Sequence, residues 1–335
     1  MPRRVLHITN GDSAAGLIQA SGIAGDVLPW RDPMHHGPMP PDLDLAGLSA
    51  VRAAYLSAPG HSAGDEFRAR DATLEQSLDY EAVVLWFEHD LLDQLQILQV
   101  LDWFAAPERA HPGLQMICIG AFEGMPRFRG LGELSPRQLA TLWPDRQPVS
   151  AAALASARDG WAAFRSKDPR AIELYLPNAD VVTPFMRPSL HRHFQEFPDS
   201  ATGLMRSEKH VLDVVAAGEA RPGAAFGQVM DQERWLFGGD LRFFQHVADL
   251  TNGEKPLLAC APDPKFQVPY WDKIDRETFL AQRLSLSSVG KAVLAGTATA
   301  FDSLHRDIHL GGVHVRSGAP MWTWNRQREA LQLQD

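Results

Sequence analysis

The chain has 335 residues, of which 45% are hydrophobic and 22% charged, and its formal net charge is -9. This composition is typical of a folded globular protein, and the acidic excess argues against a protein that coats nucleic acid through Lys and Arg. No apolar run approaches the ~18 residues of a membrane span, and the N-terminus lacks the apolar core of a signal peptide. Cys118 and Cys260 lie far apart in apolar runs. We therefore expect a cytoplasmic protein with buried thiols.

The first half of the chain alternates strands and helices. Residues 5–20 predict a buried strand, a turn at 10–13 and a helix whose first turn Asp12 or Ser13 would cap. The clearest strand, 82–87, is apolar throughout, as expected where helices cover both faces of a sheet. This alternation predicts an open, mainly parallel, Rossmann-like sheet with flanking helices over residues 1–148. The other strands are expected at 25–30 and 114–119, and the other helices at 43–57, 65–80 and 91–104.

The second half predicts a change of architecture. A loop rich in Gly, Arg and Phe, 121–135, could cover the edge of the sheet. A helical connector is expected over 149–202, and a tail, 301–335, is expected to pack on the body. Three helices followed by a two-stranded wing, over 203–300, predict a winged-helix-like domain. Its predicted elements are the helices 206–218, 223–232, 240–250 and 289–294, and the strands 256–260 and 283–287.

Three sequence blocks resemble one bacterial family, catalogued as domain of unknown function 1835. They are His7-Ile-Thr-Asn-Gly-Asp-Ser13, then Trp30-Arg-Asp32 with His36-Gly-Pro38, and Trp86-Phe-Glu-His-Asp90 with Asp93-Gln-Leu95. The segments 130–136 and 311–314 extend the resemblance over most of the chain. The resemblance supports the domain assignment and supplies no chemistry.

Polar side chains follow the first three predicted strands at their C-terminal ends. Because parallel strands end side by side, we expect these groups to converge on one crevice, where α/β folds usually bind ligands. Carboxylates and imidazoles there could hold a divalent metal or perform acid–base catalysis. The alternative is that the aspartates only cap helices and turns. The candidates are Asp12, Glu88 and His89 for catalysis, Asn10, Ser13, Arg31 and Gln94 for substrate binding, and Asp12, Asp32, His35, His36 and Asp90 for a metal.

Two other patterns point to different chemistry. Gly11-Asp12-Ser13 resembles the opening block of GDS-type lipases and esterases, and Asp302 and His305 have the spacing of the closing block of that family. The N-terminus of the first helix could also bind a phosphate, although Asp12 would repel it. The chain has no Lys before Lys167, which excludes a Walker phosphate loop in the first half.

These features favour an enzyme that acts on a small polar or anionic substrate, by metal-assisted hydrolysis. The alternative is a ligand-sensing regulator or scaffold, whose winged-helix-like domain contacts DNA or a protein partner. The helix 240–250 would then be the recognition helix, and it offers Arg242, Gln245 and His246. The acidic balance of the chain disfavours DNA as the partner.

Overall fold

The computed structural model describes residues 4–57, 62–235, 237–270 and 274–334. Contacts between residues divide the chain into two compact units. One unit consists of Met1–Leu190 with His309–Val313, and the other of His191–Ile308 with His314–Asp335. The division falls inside the segment 149–202, for which the sequence predicts a connector.

The first unit is built on a five-stranded, mainly parallel sheet. Its strand order is β2-β1-β3-β4-β5, with β1–β2, β1–β3 and β3–β4 parallel and β4–β5 antiparallel. The structure thus confirms a mixed α/β fold. The short antiparallel strand at the edge was not predicted, because two residues carry no periodic signal. The strands are β1 (Val5–Thr9), β2 (Asp26–Pro29), β3 (Ala82–Glu88), β4 (Leu114–Ile119) and β5 (Gln147–Pro148).

Helices cover both faces of this sheet. Six consecutive residues of the central strand, 83–88, are buried, in agreement with the predicted two-sided covering. On one face, Ala14 and Ile18 pack with Val84, Trp86 and residues of the segment 128–142. The helices are α1 (Asp12–Ala20), α2 (Leu45–Leu56), α3 (Gly64–Gln76), α4 (Leu91–Phe104), α5 (Pro136–Thr141), α6 (Ala151–Arg165), α7 (Arg170–Ala179) and α8 (Met186–Phe194), the last of which crosses the division between the units.

The second unit has a helical core with small antiparallel sheets. Its first three helices pack with the β6–β7 pair around one apolar cluster that includes Val211, Phe244 and Leu257. Helix α12 is not among the elements predicted for this unit; Asp275 caps it by accepting a hydrogen bond from the backbone N of Thr278 at 2.8 Å. The elements are α9 (Arg206–Ala216), α10 (Pro222–Gln232), α11 (Asp240–Asn252), β6 (Leu258–Ala261), α12 (Arg276–Ala281), β7 (Arg283–Leu286) and α13 (Ser288–Leu294).

The C-terminal residues form two further strand pairs. Strand β8 (Asp307–Leu310) pairs with β9 (Val313–Arg316), and β10 (Met321–Asn325) pairs antiparallel with β11 (Ala330–Gln334). None of the helices in the described residues is long and apolar enough to cross a membrane. Both cysteines are free thiols, and Cys260 is buried.

Candidate functional site

The candidate site lies where the order of the parallel strands reverses. Strand β1 leads to β2 on one side, whereas the chain reaches β3 on the other side of β1 and then continues outward to β4. In open α/β sheets, ligands bind beyond the C-terminal ends of the strands at such a switch point. The end of β1 leads to Asn10, and the end of β3 is Glu88. The switch point therefore has an amide on one side and a carboxylate on the other.

Three carboxylates come together at this point. Glu88 ends β3, Asp90 is the N-cap of α4 and Asp93 lies in the first turn of that helix. Each offers an oxygen, and these oxygens all lie within 4.8 Å of one another. Asp90 caps α4, which is the alternative that the sequence left open beside metal binding, and its Oδ1 accepts a hydrogen bond from the backbone N of Asp93 at 2.9 Å. The cap therefore fixes the spacing between two members of the cluster.

Asp93 is held by donors from both strand ends. Its Oδ1 accepts a hydrogen bond from Nδ2 of Asn10 at 2.9 Å, and its Oδ2 accepts one from the backbone N of Glu88 at 2.7 Å. Gln94 supports the same strand end, since its Nε2 donates to the backbone O of Glu88 at 2.7 Å and its Oε1 accepts from Thr183. The side chain of Asp93 is completely buried, as is that of Gln94. These contacts orient the carboxylate of Asp93 rigidly.

The loop 121–135 covers the cluster, in agreement with its prediction as an ordered cover. The backbone N of Leu131 donates to the carboxylate of Glu88. A Cβ at residue 130 would overlap Oε1 of Glu88, so only a glycine allows the backbone to approach this closely. A Cβ at residue 132 would lie 2.8 Å from Oγ of Ser13. The loop therefore lies against the start of α1 as well as against the end of β3.

Burial makes the charged form of all three acids costly. It raises the pKa of Glu88 to about 8, with the like charge of Asp90 as the next cause, while the Leu131 N–H acts in the opposite direction. Burial also raises the pKa of Asp90 to about 6. For Asp93, burial and then the charges of Glu88 and Asp90 raise the pKa well above its usual range. The cluster therefore favours either a bound proton or a bound cation.

The donor set suits a hard divalent cation. Mg²⁺, Mn²⁺ and Ca²⁺ prefer carboxylate oxygens, and one or two carboxylates with additional oxygen ligands are usual for Mg²⁺. Three convergent carboxylates, two of them buried, agree with that preference. The charged groups that raise the pKa of Glu88 are Asp90 and Glu133, both of the same sign as Glu88 itself. A cation would relieve this repulsion.

Asp12 and Arg31 form a separate, exposed pair. Nη2 of Arg31 lies 2.6 Å from Oδ1 of Asp12, and its Nε also donates to both carboxylate oxygens. Arg31 adopts a left-handed backbone conformation, with φ of 52°. The predicted capping of α1 by Asp12 or Ser13 is wrong, because Gly11 is the N-cap and no side chain accepts there. The Asp12 carboxylate pairs with the guanidinium instead.

Asp32, His35 and His36 lie in a second polar region, outside the carboxylate cluster. The carboxylate of Asp32 is completely buried and accepts from Nε and Nη2 of Arg52 at 3.0 and 2.8 Å. The rings of His35 and His36 are in edge contact, and Nδ1 of His36 lies 3.2 Å from the hydroxyl of Tyr55. Among the described residues, the group that satisfies the distances for a metal contains Asp90 but none of the other four predicted ligands: Asp12, Asp32, His35 and His36.

His89 lies between two aromatic rings. Its ring centroid is 6.2 Å from that of Phe128 and 6.2 Å from that of Phe185, and the residue is buried. Its backbone O accepts a hydrogen bond from Oγ of Ser189 at 2.9 Å. His89 thus packs against aromatic rings beside the cluster.

Sequence reasoning did not include Asp93 among the candidates. The sequence does contain a signal for it. Asp93 comes three residues after the N-cap Asp90, and the first turn of a helix lies next to the end of the preceding strand. The backbone donor from Leu131 could not be found in this way, since it depends on how the loop folds back. Of the GDS-type pattern, Ser13 belongs to the first unit, whereas Asp302 and His305 belong to the second.

Comparisons with known proteins identify no family for the chain. No protein-family model matches it, and no curated protein matches it either. Among solved structures, it is similar to the crystal structure of the Plasmodium falciparum topoisomerase II DNA-binding, cleavage and re-ligation domain, with a TM-score of 0.46 and 10% sequence identity. The match covers 99% of this chain and 54% of the other, so the chain spans about half the length of that structure. A similarity of this size supports no conclusion about function.

Proposed function

We propose that the protein is an enzyme that acts on a small polar substrate, by hydrolysis assisted by a divalent cation. The observation that carries the proposal is the cluster of Glu88, Asp90 and Asp93, whose oxygens lie within 4.8 Å of one another at the switch point of the sheet. A bound divalent cation would supply Lewis-acid polarisation of a substrate oxygen. The three carboxylates would hold the cation.

The remaining residues of the site position these ligands. Asn10 and the backbone N of Glu88 orient Asp93, and Leu131 orients Glu88. The loop that carries Leu131 packs against Glu88, and burial of Glu88 and Asp93 strengthens electrostatic interactions at the cluster. Arg31 lies beside Asp12 at the start of α1, where an anionic group of a substrate could compete with that carboxylate for the guanidinium.

The proposal is tested by cation binding to a variant that preserves the helix cap. Asp90→Asn keeps a side chain that caps as well as aspartate does but removes one ligand charge. We expect Mn²⁺ to bind the wild type in isothermal titration calorimetry, and its affinity to fall at least about tenfold in the variant, because ligand charge sets the affinity. The matched control is Asp44→Asn, since Asp44 caps α2 through the backbone N of Gly47 at 2.9 Å.

Turnover should follow the same pattern. In a panel of ester, amide and phosphate-ester substrates, Mn²⁺-dependent hydrolysis should be lost in Asp90→Asn and kept in Asp44→Asn. Wild-type protein that binds neither Mn²⁺ nor Mg²⁺, or an Asp90→Asn variant that binds them as tightly as wild type, would refute the proposal.

We propose, as the second candidate, a regulator whose second unit is winged-helix-like. The order of three helices, α9 to α11, followed by the antiparallel strands β6 and β7 supports this assignment. If DNA is the partner of such a regulator, the protein should bind immobilised duplex DNA at low ionic strength and be released as the salt concentration rises. A chain that passes over immobilised DNA without delay at low salt would exclude DNA as its partner.

A further inference from the structure

A cavity of about 410 Å³, with charged and imidazole side chains in its wall, lies within the second unit. It is lined by residues of α11 and of the segment 303–308, together with Met205, Glu208 and Gly253. Its volume lies in the range of ~300–1,000 Å³ that small-molecule sites occupy. One wall carries Arg242 and His246, which are four residues apart on α11 and therefore share one face of the helix. His305 lines the cavity from the segment 303–308.

Arg242 has unused hydrogen-bonding capacity. A guanidinium has five N–H donors. In the described part of the chain, that of Arg242 makes one long hydrogen bond, from Nη1 to Oε1 of Gln245 at 3.4 Å. The Nε of Arg242 is buried, and no acceptor for it lies among the described residues. A partly buried cation in this condition is costly unless an anion pairs with it.

Two of the carboxylates around the cavity already pair with other side chains, and the third is exposed. Both oxygens of Glu208 accept hydrogen bonds from Arg306, at 2.7 and 2.8 Å. The carboxylate of Asp307 lies 2.5 Å from Nε2 of His314. Asp249, an exposed residue of α11, interacts electrostatically with Arg242, and this charge lowers the pKa of Asp249 against the larger opposite effect of burial. Glu208 and Arg306 neutralise each other, and no hydrogen bond joins Asp249 to Arg242 among the described residues, so most N–H donors of Arg242 can still bind an anion from outside the chain.

We infer that this cavity binds a small molecule that carries a phosphate group, with Arg242 as its main anchor and His246 and His305 as further donors. A guanidinium donates paired hydrogen bonds to phosphate oxygens, and an imidazole can add N–H donors to the same group. The position of Arg242 in a concave cavity favours a small ligand over a nucleic-acid backbone, and the net charge of -9 also repels a polyanion. This site is independent of the carboxylate cluster of the first unit.

The test uses inorganic phosphate as the probe and the full-length chain. Phosphate should bind the wild type saturably in isothermal titration calorimetry, in the absence of divalent cations. Arg242→Gln should weaken this binding at least about tenfold, the loss expected for a charge-assisted hydrogen bond. Arg276→Gln is the matched control, because Arg276 is an exposed residue of α12 in the same unit and does not line the cavity. It should bind phosphate as the wild type does.

A second measurement separates lost binding from lost folding. Without phosphate, the circular dichroism spectrum of Arg242→Gln should match that of Arg276→Gln, and its melting temperature should be equal or higher, because the substitution removes a costly charge. Added phosphate should raise the melting temperature of the control but not that of Arg242→Gln. Absence of saturable phosphate binding by the wild type, or equal binding by both variants, would overturn the inference. It would also be overturned if duplex DNA bound in an Arg242-dependent manner while phosphate did not bind.

Discussion

Asn10 donates a hydrogen bond from Nδ2 to Oδ1 of Asp93 at 2.9 Å, and so joins the end of β1 to the first turn of α4. The amide satisfies one oxygen of a completely buried carboxylate, and the backbone N of Glu88 satisfies the other. The position of Asp93 therefore depends on a residue from a different strand–helix unit.

Removal of this amide should weaken cation binding. We expect Asn10→Ala to lower the Mn²⁺ affinity by about 10- to 100-fold, the usual effect of losing a group that orients a metal ligand. Isothermal titration calorimetry measures the change. Asn178→Ala, at an exposed position of α7, is the control and should bind as wild type does. Equal affinities for the two variants would show that Asn10 does not orient a ligand.

Cation-free protein should become less stable as the pH rises. Burial raises the pKa of Glu88 from 4.5 to about 8. Between these two values the folded state holds a proton that the unfolded state has released, so the free energy of unfolding falls with increasing pH across this window. Urea unfolding at intervals from pH 5 to pH 8 measures the slope. The slope should be shallower in Glu88→Gln, which cannot ionise, and unchanged in Glu75→Gln, an exposed position on α3.

The same substitution should also stabilise the cation-free protein near pH 8. Glu88→Gln removes a buried charge and its repulsion with Asp90, so its melting temperature should exceed that of wild type. A saturating divalent cation should reverse this order, because it stabilises only the protein that binds it. A Glu88→Gln variant that is less stable at every pH and cation concentration would point to a purely structural role for this glutamate.

A methyl group at residue 130 should disturb the cluster. A Cβ there would overlap Oε1 of Glu88, so Gly130→Ala must displace either the loop or the carboxylate. We expect a loss of stability of about 1–3 kcal/mol, as for overpacking elsewhere, together with weaker cation binding. The control is Gly16→Ala in α1, where no atom lies near the added Cβ; this change should stabilise the protein by about 0.5–1 kcal/mol. Denaturant unfolding of both variants makes the comparison.

Asp32 should matter for stability, in contrast to Asp12. The side chains of Asp32 and Arg52 are both completely buried, so Asp32→Asn leaves the guanidinium without its counter-charge. We expect this change to cost about 3–5 kcal/mol. Asp12→Asn should cost at most about 1 kcal/mol, because its pair with Arg31 is exposed. Urea denaturation should show the difference, and similar losses for both variants would contradict it.

The sequence predicts the sheet well and the site only in part. The apolar run 82–87 and the polar residues after it locate β3 and its C-terminal end, because strand periodicity and parallel pairing are local and general rules. These local rules do not predict which polar side chains come into contact at that end of the sheet. Asp32 and Asp90 both follow a strand. Asp32 accepts a hydrogen bond from Arg52, however, whereas Asp90 caps the helix that begins beside Glu88. Arg52 lies on α2, and nothing in the local pattern shows that it reaches the end of β2.

The positions of the site residues along the chain also determine when the site can form during synthesis. Asp93 follows Asn10 by 83 positions, and Leu131 follows Glu88 by 43. Asn10 therefore emerges from the ribosome long before Asp93, and Leu131 of the covering loop emerges later still. A nascent chain that stops before residue 131 already contains all three acids of the cluster but lacks their cover, so the newly made cluster meets water before it is enclosed.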